Sequence, residues 1–266
     1  MFCSKVCLIR LGDKVSRGGS VYQEYSQKTV HFLSTDLSAV LFSALEGLGN
    51  DFSLIDLGCG DGATIYALYS NGLLKNATDV VGVDLSPVRI KRLTERCPFV
   101  KGVVADVCDL AQIPDNSFDF VISSQVIEHV PNDAKMLSEV RRIIKPQGLL
   151  YISTVVRKWY GVWIYWNKGF KLDPTHLKEY RSTQEFGGLL SDQNFKIIAL
   201  QTNRVKYPIL DLVLRLLVKC NLVELAPDYW LKHPRLAKIR GLFKWRIVGF
   251  ETVEIVARPN EFEQTK

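Results

Sequence analysis

The chain has 266 residues, 47% hydrophobic and 23% charged, with 34 Lys and Arg against 28 Asp and Glu for a formal net charge of +6. This is the composition of an ordinary soluble globular protein with enough chain for one α/β domain and additions. It contains no run of eighteen apolar residues to cross a bilayer, and Met1 to Gly12 lacks the apolar core and cleavage site of a secretion signal, so a cytoplasmic location is expected.

In chain order, residues 1–49 read as an N-terminal helical flap, with Ser20 to Ser38 (Tyr22, Tyr25, His31 and Phe32 among them) as its helical part. Ser53 to Leu57 is a short apolar strand that runs into Gly58, Gly60 and Gly62. Three glycines on alternate positions at a strand's end mark a turn that needs positive φ or lies in contact with a ligand. The helix expected over Asp61 to Ser70 puts free backbone N–H groups at the same place. A second strand, Asp79 to Val83, ends on Asp84, about twenty-two residues beyond Gly62, the interval at which a neighbouring strand brings an acid to a ribose diol. A bound nucleoside is expected.

Ser86-Pro87 then opens a helix running to Arg96, with serine at the cap and proline at the first helical position. Strands follow at Val100 to Val104, Phe118 to Ser123 and Leu149 to Thr154. A helix from Asn132, ended by Lys145-Pro146-Gln147-Gly148, lies between the last two. Ser182 to Gln193 is a helix, and Phe195 to Thr202 and Arg246 to Arg258 are strands six and seven. Strand alternating with helix predicts a doubly wound, Rossmann-like α/β sheet. Its core spans residues 50–202 and 246–260, with cap insertions at 155–181 and 203–245. Both insertions leave carboxyl ends of strands, where ligands of open α/β sheets bind, so substrate choice is expected there.

A dinucleotide fingerprint is spaced Gly-x-Gly-x-x-Gly, whereas this loop is Gly-x-Gly-x-Gly preceded by Asp56. An acid there repels a pyrophosphate and suits a cationic ligand carrying an ammonium or sulfonium. The stretches Asp56-Leu-Gly-Cys-Gly-Asp-Gly, Val81-Gly-Val-Asp-Leu-Ser, Ala105-Asp106, Asn116 to Val130 and Leu137 to Gly148 resemble the class I S-adenosylmethionine-dependent methyltransferases. Within that family they look most like the branch with ubiquinone- and menaquinone-biosynthesis enzymes. The resemblance covers roughly residues 50 to 155. It implies seven strands with the seventh antiparallel between the fifth and sixth, and S-adenosylmethionine as cofactor. It also implies that Asp56, Gly58, Cys59 and Gly60 hold the methionine end, Asp84 the ribose, Leu85 the adenine face, and Asp106 with Val107 the adenine amino edge. Ser124 and Gln125 line the crevice near the methyl group.

An amine acceptor needs no base, but a phenol or sugar hydroxyl often does, and His129 and His176 are the candidates because an unperturbed imidazole accepts a proton near neutrality. Structural roles in a turn or an insertion remain open for both. No metal is assigned: the six cysteines lack ligand or disulfide spacing and read as reduced thiols.

Residues 201–250 hold ten of the Lys and Arg and three Asp or Glu, a local net charge of +7, and Tyr207 to Val223 reads as an apolar helix. Trp159, Tyr160, Trp163, Tyr165 and Trp166 form an aromatic cluster that suits a packed lid, an acceptor pocket or an interfacial anchor. The expectation is methyl transfer, at oxygen, to a small-molecule or lipid/glycan-linked acceptor, with peripheral membrane contact among the readings of the basic region. The alternatives are a catalytically silent cofactor-binding module and a nicotinamide oxidoreductase, the latter disfavoured by the loop. Nucleic acid is disfavoured because Ser123-Ser124-Gln125-Val126 stands where nucleobase amino methyltransferases carry an Asn/Asp-Pro-Pro-aromatic motif. The acceptor and the oligomeric state are not legible.

Overall fold

The computed structural model describes residues 22, 23, 26, 27, 33–161, 176–208, 210, 211, 213, 214, 217, 220, 222 and 228–260. Tyr25, His31, Phe32, Trp163, Tyr165, Trp166 and much of the expected 207–223 helix lie outside them.

Seven strands form one sheet in the order β3-β2-β1-β4-β5-β7-β6. They are β1 (Phe52–Leu57), β2 (Ala77–Asp84), β3 (Lys101–Val104), β4 (Phe118–Ser124), β5 (Ile144–Arg157), β6 (Phe195–Pro208) and β7 (Lys244–Pro259). The first five pair in parallel, and β7 is antiparallel between β5 and β6. The chain reverses its direction along the sheet on either side of β1, so the carboxyl ends of β1 and β4 flank a crevice at the switch point of a doubly wound sheet.

Alternate residues of the central strands face opposite layers, as a period of two requires. Ile55, Leu57, Val81, Val83 and Val121 pack with Met136, Leu137, Val140 and Ile143 of α4 (Asp133–Ile143) and with Phe186 and Leu190 of α5 (Thr183–Asp192). Leu54, Val80, Phe120 and Ile122 pack with Leu41 and Leu45 of α1 (Ala39–Glu46), with Ile65 and Leu68 of α2 (Ala63–Ser70), and with Ile90 and Leu93 of α3 (Pro87–Arg96). The result is helix, sheet and helix in three layers, with the sheet's central strands dry on both faces.

Local signals set the helix starts. Asn132 caps α4 by accepting from Lys135 N, and Ser182 caps α5 by accepting from Glu185 N. Ser86 sits at the N-cap of α3 with Pro87 behind it, but its side chain does not cap. The Ser86 hydroxyl instead meets Ser26 Oγ at 2.7 Å, tying the N-terminal segment to the sheet.

Three boundaries differ from the sequence reading. Lys145 to Gly148, read as a helix terminator, is the start of β5, because Ile144 already pairs with Phe118. Residues 203–208 and 244–245 belong to β6 and β7 rather than to the 203–245 insertion, since Lys206, Tyr207 and Pro208 pair with Arg246, Trp245 and Lys244. Within residues 1–49, α1 is a core layer rather than flap: Leu41 and Leu45 are buried against Phe52. Its sequence cue was Ser38, which caps it by accepting from Leu41 N at 3.1 Å.

Candidate active site

The crevice begins where β1 gives way to the glycine loop. Gly58 N and Cys59 N donate to Val83 O at 2.7 and 2.9 Å, which bends the chain over the end of β2. Gly58 has φ +73°, and a Cβ there would lie 2.4 Å from Val126 Cγ2. Only glycine lets the loop lie against the residue that follows Gln125. Gly62, at φ +84°, is the N-cap of α2, and a Cβ on it would meet Leu93 Cδ1 at 2.4 Å.

Two carboxylates are buried beside this loop. Asp84 accepts from Ser86 N at 2.8 Å and from Gly60 N at 3.0 Å, and Tyr22 Oη donates toward both of its oxygens at 3.2 Å. Burial raises its pKa, against which those backbone bonds and the Arg89 guanidinium work. Asp56 is 2% exposed, and its Oδ2 has no hydrogen-bond partner among the described residues. Burial first, and then the charge of Asp84, pushes the Asp56 carboxyl up to about 7. A buried acid so destabilised as an anion is complementary to a cation, which an ammonium or sulfonium supplies and a pyrophosphate does not.

The other residues expected at a cofactor lie on neighbouring strand ends. Leu85 is half-buried, and its carbonyl accepts from Gln23 Nε2 at 2.9 Å. Beyond β3, Val107 is buried and Asp106 is exposed, with Oδ1 accepting from Cys108 N at 2.8 Å in an Asx turn. Beyond β4, Ser124 Oγ lies 3.1 Å from Ser153 Oγ, and Gln125 takes a positive φ of 57° with its N donating to Ser153 O at 3.0 Å. A strained, non-glycine backbone at a strand end that faces a crevice is a common mark of a working position. No local sequence pattern marks that backbone angle. Cys59 is a buried free thiol whose pKa rises well above the ordinary value, through burial and then the two neighbouring aspartates. Both effects disfavour the thiolate.

A second group of side chains lies past Gln125. His129 closes the 3₁₀ turn Ile127–His129, and its ring meets that of His176 edge-on with centroids 4.8 Å apart. The structure thus joins the two candidate bases, 47 residues apart in the chain. Glu128 joins them: it is 1% exposed, its Oε2 accepts from Thr154 Oγ1 at 2.9 Å, and its carbonyl accepts from Leu177 N at 3.0 Å. That main-chain bond pins the segment carrying His176 to the turn carrying His129. The sequence reading passed over Glu128 as a neighbour of His129, because a contact across 47 residues leaves no mark in local spacing.

Residues 55–152 match the family model described as a methyltransferase domain. This stretch thus resembles a methyltransferase domain. A human thiol S-methyltransferase is 32% identical over 147 residues, covering 52% of this chain and 58% of that protein. A ubiquinone biosynthesis O-methyltransferase of Xanthomonas oryzae is 34% identical over 108 residues, 39% of this chain and 43% of its own. The chain thus spans about half the length of the curated relatives it matches. Among solved structures, the [4+2]-cyclase SpnF superposes with a TM-score of 0.62 at 18% identity, covering 91% of this chain and 97% of that one, a likeness of fold. A Mycobacterium tuberculosis protein described as a probable S-adenosylmethionine-dependent methyltransferase is 29% identical over 148 residues, and the unsatisfied Asp56 oxygen beside the glycine loop is complementary to a positively charged ligand.

Proposed function

We propose that the protein moves a methyl group from S-adenosylmethionine to a hydroxyl of a small-molecule or lipid-linked acceptor. The observations that support this reading are the unsatisfied buried oxygen of Asp56 beside the glycine loop, the Gly60 N to Asp84 hydrogen bond that joins that loop to the next strand, and, past the end of β4, the positive φ of Gln125 and the paired rings of His129 and His176.

The donor supplies an electrophilic methyl group on a sulfonium. The chain's own residues then have to bind, align, exclude water and manage the acceptor's proton. In this reading Asp56, Gly58, Cys59 and Gly60 hold the amino-acid end, Asp84 takes the ribose hydroxyls, and Leu85 packs on the adenine. Asp106 and Val107 take the adenine's amino edge, and Ser124 with Gln125 flank the transferred methyl. His129 and His176 act on the acceptor. An oxygen acceptor is favoured over a thiol because a thiol with pKa near 8.5 ionises readily, whereas a hydroxyl needs the help that two converging imidazoles provide.

The test is transfer of tritium from labelled donor into lipid, quinone, glycan and RNA extracts. Label in an organic or glycan fraction supports the reading, and label only in nucleic acid contradicts it. No transfer anywhere favours a second reading, a silent cofactor-binding module docked on a surface. One observation favours docking in either case. Leu242, Phe243, Trp245 and Val248 are 61–78% exposed beside the exposed Lys244 and Arg246, at the end of α6 (Pro234–Leu242), in the part of the chain with net charge +7. Apolar side chains among cations fit an anionic lipid surface. Among the described residues, no helix is long and apolar enough to cross a membrane.

A further inference from the structure

We propose that Ser124, Ser153, Tyr151 and Ser38 form a chain of hydroxyls that carries the acceptor's proton from the crevice through the sheet to Glu254. The inference rests on the methyl-transfer reading for the source of the proton; the chain itself does not.

Ser124, Ser153, Glu254 and Gln201 are cross-strand partners, in register, on β4, β5, β7 and β6. Directly paired residues of neighbouring strands share a face, so one polar row runs from the crevice end of β4 across three further strands. Tyr151, two residues before Ser153, is on the same face and packs in the layer of α1, whose N-cap is Ser38. Ser124 Oγ lies 3.1 Å from Ser153 Oγ, and Tyr151 Oη lies 3.4 Å from Ser38 Oγ. Ser153 hydrogen-bonds the Tyr151 phenol between those two contacts, and Ser38 hydrogen-bonds Glu254 at the far end. Ser153 and Tyr151 are each 3% exposed, so this stretch is closed to bulk water.

Hydroxyl accounting gives the chain a direction. A serine or tyrosine hydroxyl has one proton to donate and lone pairs to accept with, whereas a carboxylate only accepts. Ser38 Oγ accepts from Leu41 N at 3.1 Å. With Glu254 as the acceptor-only end, Ser38 donates to Glu254, Tyr151 to Ser38, Ser153 to Tyr151 and Ser124 to Ser153. Each bond then polarises the next, and the Ser124 oxygen keeps a lone pair for the acceptor's hydroxyl. At the other end, Glu254 Oε2 is buried and has no hydrogen-bond partner among the described residues, so a proton there is welcome. Burial raises the Glu254 pKa and the Ser38 bond works against it. The groups that face it are Ser153 and Tyr151 from β5, Gln201 from β6 and Ser38 from α1, none of them charged. The Tyr151 phenol is pushed up to about 12, by burial first, so it stays protonated and conducts rather than ionises.

The transfer balances. The acceptor's oxygen lone pair forms the new O–CH₃ bond while the S–CH₃ pair returns to sulfur. The O–H proton passes to Ser124, and each hydroxyl hands its own proton onward until Glu254 becomes a neutral carboxylic acid. Every hydroxyl ends with the one proton it began with, and nothing is oxidised or reduced. Glu254 is partly exposed, and it returns the proton to water. In this account His129 and His176 position the acceptor rather than take its proton.

The test is infrared difference spectroscopy of the full-length protein saturated with S-adenosylhomocysteine, titrated between about pH 4 and 9. Glu254→Gln should remove a carboxylic-acid C=O band that titrates above the ordinary glutamate range. Tyr151→Phe and Ser124→Ala should each shift that band. Ser124 is at the opposite end of the chain, so its effect reports transmission along the hydroxyls rather than local packing. Should Tyr151→Phe fail to fold, Ser124→Ala, at a partly exposed position, carries the test alone. A Glu254 band with ordinary titration, or one indifferent to Ser124→Ala, overturns the chain. Rates supply the second arm, with tritiated S-adenosylmethionine and the extract fraction that takes up label. Glu254→Gln and Tyr151→Phe should lower kcat at least tenfold with KM and S-adenosylhomocysteine affinity unchanged. Undiminished kcat in both would sink the relay while leaving the methyltransferase reading intact. A coupled band in protein that transfers methyl to nothing would contradict that reading instead.

Discussion

Tyr22 Oη stands 3.2 Å from each carboxylate oxygen of Asp84, 62 residues further along the chain. The remaining approaches to that carboxylate are used by Gly60 N and Ser86 N, and the Arg89 guanidinium lies 5.6 Å from the centre of the Tyr22 ring. Gln23 and Ser26 add bonds to Leu85 O and Ser86 Oγ, so the N-terminal segment is fastened across the end of β2. A ribose diol held by Asp84 needs the oxygens that Tyr22 occupies. On the proposed reading, ligand and tyrosine would compete.

The first prediction follows from that competition. A hydrogen bond to a charged group contributes about 1.5–3 kcal/mol, and part of it must be surrendered when the ribose enters. Tyr22→Phe should bind S-adenosylhomocysteine about three- to tenfold more tightly by isothermal calorimetry. Weaker binding in the variant would mean that Tyr22 holds the ligand rather than displacing it.

A second prediction concerns pH. With its folded pKa raised from 3.8 to about 7, Asp56 binds a proton in the folded state that the unfolded chain has lost. Its contribution to stability is therefore fully present below about pH 4 and lost as pH rises through about 7. Between pH 5.5 and 8.5 the midpoint of thermal unfolding of ligand-free protein should fall more steeply in wild type than in Asp56→Asn. Cofactor affinity should move the other way, rising with pH as the carboxylate forms. Parallel pH profiles for the two proteins would remove Asp56 from both roles.

Much of the central sheet was legible because the residues of β1, β2 and β4 announce it: short apolar runs, each closed by glycine or by a polar residue at the crevice. The outer elements were less so. Pro146 and Gly148 look like a helix stop, yet β5 starts before them, because the exposed beginning of a strand carries no apolar alternation. The far ends of β6 and β7 are exposed and basic, and their pairing depends on each other rather than on burial. Arg89, on a helix that reads as a solvated face, is 1% exposed and lies 3.9 Å from the fully buried Asp61. The positive-φ turn at Gly58, Gly60 and Gly62 and the place of Asp84 at the end of β2 follow from local spacing. Tyr22 on Asp84, and Glu128 between two histidines, come from chain crossings that no local pattern encodes.

The glycine loop gives a third prediction. Gly58→Ala places a methyl 2.4 Å from Val126 Cγ2 at a backbone angle that disfavours side chains, and should destabilise the fold by about 1–3 kcal/mol in urea unfolding. Val126→Ala removes the clash but not the strain. The double variant should therefore be more stable than the sum of the single changes by a measurable coupling. Strict additivity would show that Val126 yields freely.

The exposed strip yields a fourth. Liposomes containing anionic phospholipid should pellet the wild-type protein, with less pelleting as salt is raised from 50 to about 500 mM, because screening shortens the reach of surface charge. Replacing Leu242, Phe243 and Trp245 with serine should abolish pelleting while leaving cofactor binding unchanged. Equal pelleting of the triple variant would assign the strip to something other than lipid.

The most direct measurement is calorimetric titration of S-adenosylhomocysteine into the wild-type protein and Asp84→Ala. The predicted result is one site per chain, with a loss of about 1–3 kcal/mol in the variant from the hydrogen bonds to the ribose. NADH should give no heat. A folded wild-type protein that takes up neither S-adenosylhomocysteine nor S-adenosylmethionine, or an affinity untouched by removal of Asp84, would contradict the account.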